Sequence, residues 1–106
     1  MKTKELEKFG LSHTTLEKIN SVFGKYPEVE KVIVYGSRAM GNYRTGSDID
    51  LTLIGSDVTL DTLFAIEEDL DELFLPYTFD ISIFSHLRNP DFLDHIKRVG
   101  KVFFEK

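Results

Sequence analysis

The amino-acid sequence predicts an α+β fold, a small mixed β-sheet with helices packed on it, in the order α-β-β-α-β-α-β. Three observations carry that expectation. Short β-branched and aromatic runs at residues 31–35, 48–54 and 78–84 have the composition of half-buried strands. The longest stretch with helical spacing, residues 59–74, falls between the second and third runs, where a crossover helix makes two strands parallel. The chain has 106 residues, and domains usually hold about 100–200, so residues 1–106 are expected to be a single domain.

Each element has a local reason. Residues 3–9 read as a short amphipathic helix stopped by Gly10. A stronger helix is expected from Thr14, where Thr14-x-x-Glu17 has the form of a capping box. Leu16, Ile19, Phe23 and Tyr26 follow at helical spacing, and Pro27 ends it. A loop rich in glycine and polar residues fills 36–47. In the helix at 59–74, Leu60, Leu63, Phe64, Leu70, Leu73 and Phe74 can form a core-facing stripe. Pro76 breaks the chain before the third strand, where Phe79, Ile81 and Ile83 alternate with Asp80, Ser82 and Phe84. Asn89-Pro90 is an N-cap followed by proline at the first helical position. Phe92, Ile96 and Val99 give the last helix its apolar face, Gly100 stops it, and residues 101–105 form a closing strand.

The bulk properties exclude several functions. No apolar run reaches the ~18 residues that read as a membrane span, and no signal-peptide pattern follows Met1, so a soluble cytoplasmic protein without membrane association is expected. Cysteine is absent, which rules out disulfides and zinc–thiolate sites. The net charge is −5, whereas nucleic-acid affinity comes largely from basic groups on phosphates; direct nucleic-acid binding is not expected. A small anionic substrate held through a metal ion stays compatible, because the cation reverses the local sign.

The informative stretch runs from Gly36 to Leu51. Asp48 and Asp50 are two residues apart on an expected strand, so their side chains share a face. Two like charges so placed repel unless a cation sits between them, and hard oxygen ligands suit Mg²⁺ or Mn²⁺. If the third strand returns parallel to the second, Asp80 lies beside Asp50. Three carboxylates from two strands can hold two divalent ions about 3.5–4 Å apart, as in-line nucleotidyl displacement uses them. Gly36 lets backbone approach a phosphate closely and Ser37 adds a hydroxyl, at a turn where strand gives way to a short helical segment. A P-loop is excluded because Asn42-Tyr43 follow Gly41, and a dinucleotide fingerprint because Arg38 stands where a second glycine belongs.

A hydrophobic strand, Gly36-Ser37, a ten-residue spacer from Arg38 to Ser47, Asp48-x-Asp50 and a later strand bearing Asp80 together resemble the signature of the DNA-polymerase-β-like nucleotidyltransferase superfamily. Within it the chain is similar to the minimal nucleotidyltransferases (MNT proteins) that accompany HEPN-domain proteins. The resemblance covers nearly the whole chain and implies the fold of that superfamily. It implies that Asp48 and Asp50 are the catalytic pair, that Asp48, Asp50 and Asp80 hold two Mg²⁺ ions (or Mn²⁺), and that Asp80 helps activate the incoming hydroxyl. It places Gly36 and Ser37 on the triphosphate, and Arg38 and Arg44 are candidate phosphate neighbours beside them. Met40 departs from the arginine that members often carry. The implied reaction moves AMP from ATP to a hydroxyl, a tyrosine of a HEPN toxin, with the chain acting as antitoxin in a homo- or hetero-oligomer.

Two other functions fit the same sequence: neutralising a partner by binding alone, and nucleotidyl transfer to a small molecule of the aminoglycoside type. His13, His86 and His95 lack metal-ligand spacing and read as surface residues. The acidic run Glu67-Glu68-Asp69 and Asp71-Glu72 reads as a solvated helix face, or as a docking site for a basic partner.

Overall fold

The computed structural model describes residues 7–106. The helix expected over residues 3–9 falls partly outside that range. Its described part is instead a small hairpin, β1 (Glu7–Lys8) paired antiparallel with β2 (Leu11–Ser12). The turn needs two left-handed residues, Phe9 (φ 59) and Gly10 (φ 75), as tight two-residue hairpin turns do. Phe9 adopts that uncommon conformation while its ring stacks on Phe103 at 5.7 Å.

Helix α1 (His13–Phe23) starts earlier than the Thr14 box suggests. Ser12 is the N-cap, its hydroxyl accepting from the Thr15 amide at 3.1 Å. The helix also ends before Pro27, because Gly24 already closes the last turn. Strand β3 (Lys31–Tyr35) follows as expected, then a one-turn helix α2 (Gly36–Met40), β4 (Ile49–Ile54), α3 (Leu60–Asp71), β5 (Phe79–Ile83), a 3₁₀ turn at Phe84–His86, α4 (Pro90–Val99) and β6 (Lys101–Glu105). Asn89 caps α4 by accepting from the Asp91 and Phe92 amides, with Pro90 at the first helical position. Gly100 stops it in extended backbone.

The four long strands form a mixed sheet in the order β5-β4-β3-β6, with β4 and β5 parallel and the other pairs antiparallel. Strand periodicity divides the residues between two faces. Val32, Val34, Ile49, Leu51, Leu53, Ile81 and Ile83 join the core with Ile19, Val22 and Phe23 of α1 and Ile66 and Leu70 of α3. Opposite them, Tyr35, Asp50, Thr52, Asp80 and Ser82 occupy the other face, only part of which α4 covers through Phe92 against Tyr35.

Helix α3 corrects the expected stripe. Its buried residues are Thr62, Ile66 and Leu70, with Leu63 and Leu73 partly buried against the core. Leu60, Phe64 and Phe74 face solvent, at 52%, 58% and 90% exposure. The buried face also carries a polar contact: Thr62 caps the helix reciprocally with Thr59 and donates to the Glu28 carboxylate at 2.8 Å.

Candidate active site

The antiparallel register of β3 and β4 sets Tyr35 opposite Asp50, and the parallel register of β4 and β5 sets Asp50 opposite Asp80. Three side chains therefore stand in one row across the open face. The next row is Ile33, Thr52 and Ser82, where the Ser82 hydroxyl donates to Thr52 Oγ1 at 3.0 Å. Asp48 lies one residue before β4 and is exposed. Its neighbour Ile49 is anchored by an amide hydrogen bond to the Thr78 carbonyl at 2.9 Å.

The charges in this row oppose one another. Burial pushes the Asp50 carboxyl up from its ordinary value, and repulsion from Asp80 and then Asp48 acts in the same direction, against His95 and Arg38. The Tyr35 phenol is pushed up to about 12, chiefly by burial, with Asp80 and Asp50 adding and Ser82 opposing. An uncompensated cluster of this kind favours a bound cation.

Gly36 directly abuts the row. Its φ of +72 is left-handed, and a side chain there would run into the Asp50 carboxylate. A glycine is required on both counts. Ser37 follows in the first turn of α2, whose end is closed by Gly41 donating to the Ser37 carbonyl at 2.9 Å. Gly36, Ser37, Asp50 and Asp80 thus meet at one end of the sheet, as the sequence led us to expect.

Arg38 is placed differently from Gly36 and Ser37. It is only 3% exposed. Its Nε and Nη2 donate to the Ser47 carbonyl at 3.1 and 2.8 Å, and its Nη1 to the Phe9 carbonyl at 3.0 Å. The guanidinium lies 5.4 Å from the Tyr43 ring and 5.1 Å from the Tyr77 ring. Arg44 and Met40 are exposed on the loop and the end of α2.

The donor set, carboxylates from the head of β4 and from β5, suits a hard divalent ion such as Mg²⁺ or Mn²⁺. Among the described residues, no group of three or more His, Cys, Asp and Glu is gathered tightly enough to hold an ion as it stands. Asp50 and Asp80 are side by side, and Asp48 reaches Asp50 electrostatically.

Sequence reasoning missed Tyr35, Thr52, Ser82 and His95 as neighbours of the acids. Thr52 and Ser82 carry a signal in hindsight: each interrupts a strand two residues after an Asp. His95, read as a surface residue, is half-buried with its ring 6.2 Å from Tyr35. Nothing in the local sequence marks it, because α4 brings it there from afar.

A mixed sheet with a Gly-Ser turn facing a row of aspartates defines a nucleotidyltransferase-type domain. Residues 17–106 match the family described as Polymerase beta, Nucleotidyltransferase, and the chain belongs to that family and to its class of enzyme. No curated protein matches it by sequence. Solved structures share the fold. One is a chain of a toxin–antitoxin complex crystallised with AMP-PNP, with TM-score 0.69 and 16% identity, covering 86% of this chain and 73% of that one. Another is from a complex of the tri-AMPylated Shewanella oneidensis HEPN toxin with MNT antitoxin, with TM-score 0.61 and 14% identity, covering 88% and 71%. A mutant MntA–HpeT toxin–antitoxin complex gives TM-score 0.66 and 13% identity, covering 86% and 73%. The expected likeness to minimal nucleotidyltransferases is met at the level of the fold. No helix among the described residues is long and apolar enough to cross a membrane.

Proposed function

We propose that residues 1–106 form one cytoplasmic domain that transfers AMP from ATP to a tyrosine hydroxyl of a HEPN-domain toxin, and so acts as its antitoxin. The observation that carries this reading is the row Asp50–Asp80 facing the Gly36 turn. The likeness to the MNT antitoxin structure, whose HEPN toxin is described as AMPylated, supports the choice of nucleotide and acceptor.

In this reading Asp48, Asp50 and Asp80 hold Mg²⁺, which when bound supplies charge neutralisation at the α-phosphate and the leaving group. Gly36 brings backbone against the triphosphate, and the Ser37 hydroxyl donates to it. The acceptor oxygen forms a bond to the α-phosphorus, the bond to pyrophosphate breaks, and the hydroxyl proton passes to the Asp80 carboxylate. Asp50, held between Asp80 and the Gly36 backbone, fixes the line along which that displacement runs.

Transfer has to be told apart from neutralisation by binding alone. Incubation with Mg²⁺, α-labelled ATP and the purified HEPN partner separates the two. Label on the partner that disappears with Asp48→Asn supports transfer. Protection of cells from the toxin without any label leaves only the binder.

A further inference from the structure

Arg38 is a buried cation with three of its donors bound to main-chain carbonyls. Among the described residues no carboxylate lies within ion-pair distance of it. Carbonyl oxygens and two aromatic faces take that role instead, an arrangement suited to the planar, weakly hydrated guanidinium and not to an ammonium. Three of its N–H donors are taken up by main-chain carbonyls and are not available to a phosphate.

What the guanidinium holds is the approach to Asp48. Nε and Nη2 converge on the Ser47 carbonyl, which belongs to the peptide bond entering Asp48. The amide leaving Asp48, that of Ile49, is fixed by the Thr78 carbonyl at 2.9 Å. The Tyr77 ring, next in the chain to Thr78, lies over the same guanidinium. The preceding turn is closed by Ser47, whose hydroxyl accepts from the Arg44 amide at 2.8 Å and whose own amide donates to the Arg44 carbonyl at 2.9 Å. Asp48 is thus suspended between two pinned peptide groups, one of them pinned by Arg38.

We infer that Arg38 is a positioning residue for nucleotidyl transfer: its guanidinium clamps the Ser47 carbonyl against the N-terminal hairpin and thereby sets where the Asp48 carboxylate enters the site. This rests on the function proposed above. It also gives Arg38 a different role from the phosphate contact for which the sequence made it a candidate.

Hydrogen exchange of the loop 41–48, without metal or nucleotide, tests the clamp, and Mn²⁺ affinity by electron paramagnetic resonance tests its consequence. In Arg38→Gln, exchange in the loop rises while β3, β4 and β5 keep their protection. Mn²⁺ affinity falls about tenfold or more, the scale on which groups orienting a ligand act. Arg38→Lys, which cannot present the fork, behaves alike and decides the matter if the glutamine variant does not fold. Loop exchange within twofold of wild type in a folded variant overturns the inference. So does a loosened loop with Mn²⁺ affinity unchanged, which would make Arg38 merely structural. Unchanged loop and metal binding with lost ATP affinity would return Arg38 to the phosphates. If the wild type binds no Mn²⁺, or Asp50→Asn still binds it, the proposed metal site fails instead, and the exchange measurement alone still decides the clamp.

Discussion

Asp50 and Asp80 are register partners on adjacent parallel strands, so the fold itself forces two carboxylates side by side on the open face of the sheet. Asp50 bears both partial burial and the repulsion of Asp80 and Asp48. Asp50→Asn is therefore expected to stabilise the metal-free protein. Each kcal/mol of relieved repulsion raises the melting temperature by about 4–8 °C in a domain near this size. Calorimetry in EDTA measures it directly. With excess Mg²⁺ the order reverses, because only the wild type gains stability from bound ion. A variant that melts below wild type in EDTA would refute the repulsion argument.

Acid sensitivity is expected at a site far from that row. The Tyr26 hydroxyl donates to Asp69 Oδ2 at 2.5 Å, and Lys25 Nζ lies 3.1 Å from the same oxygen. The Tyr26 bond, then Lys25, holds the Asp69 carboxyl below its ordinary 3.8. The same bond, with burial, pushes the Tyr26 phenol up from 10.0 to about 12. A depressed acid stabilises above its unfolded-state pKa, and that contribution is lost as pH falls through the folded-state value. A raised phenol stabilises below 10.0, and that contribution is lost as pH climbs through about 12. Tyr26→Phe is expected to cost about 1 kcal/mol at neutral pH, after allowance for solvent screening. Urea unfolding from pH 3 to 7 reads it: the gap between variant and wild type closes below pH ~4. A gap that stays constant to pH 3 would show that the pair contributes no charge-dependent stability.

The exposed face of α3 gives a sharp contrast in stability. Phe64→Ser and Leu60→Ser change unfolding free energy by no more than about 0.5 kcal/mol, as solvent-facing substitutions do. Leu70→Ala, in the core beside Ile66, costs about 2–5 kcal/mol. Equilibrium unfolding in urea compares them, and a Phe64→Ser loss as large as that of Leu70→Ala would place the helix in the wrong rotation.

That rotation marks where the sequence stops being legible. The spacing of apolar residues in α3 gave a helix, but its N-terminal half is apolar on more than one side. Periodicity fixes a period, whereas the phase the core accepts is the one that buries Ile66, which the expected stripe omitted, together with Thr62 and Leu70. The N-terminal hairpin was hidden for a related reason. Phe9 adopts a left-handed conformation that its residue type disfavours, and the ring stacking and the carbonyl bond to Arg38 that accompany it come from distant parts of the chain. By contrast, Gly36, Ser37, Asp48, Asp50 and Asp80 could be placed together in advance. Strand alternation, an antiparallel return through the loop at 36–47 and one crossover helix are local rules, and they suffice to bring those residues to one end of the sheet. His95 and the burial of Arg38 depend on packing, which no local rule encodes.

Three glycines separate backbone strain from a specific role in the site. Gly36, Gly41 and Gly46 all have left-handed φ, at +72, +86 and +87, but only a side chain at Gly36 meets anything within 4 Å, the Asp50 carboxylate. Alanine at any of the three costs about 1–2 kcal/mol of conformational strain. At Gly36 it also drives Asp50 out of its row with Asp80. Displacements near 1 Å in a reacting assembly lower rates about 100-fold, so Gly36→Ala is expected to lose label transfer by at least that factor. Gly41→Ala and Gly46→Ala, destabilised to a similar extent, keep activity to within several-fold. Measuring transfer well below each variant's melting temperature separates the two effects. Equal losses in all three variants would mean that backbone strain alone is at work and that the contact between Gly36 and Asp50 has no part in catalysis.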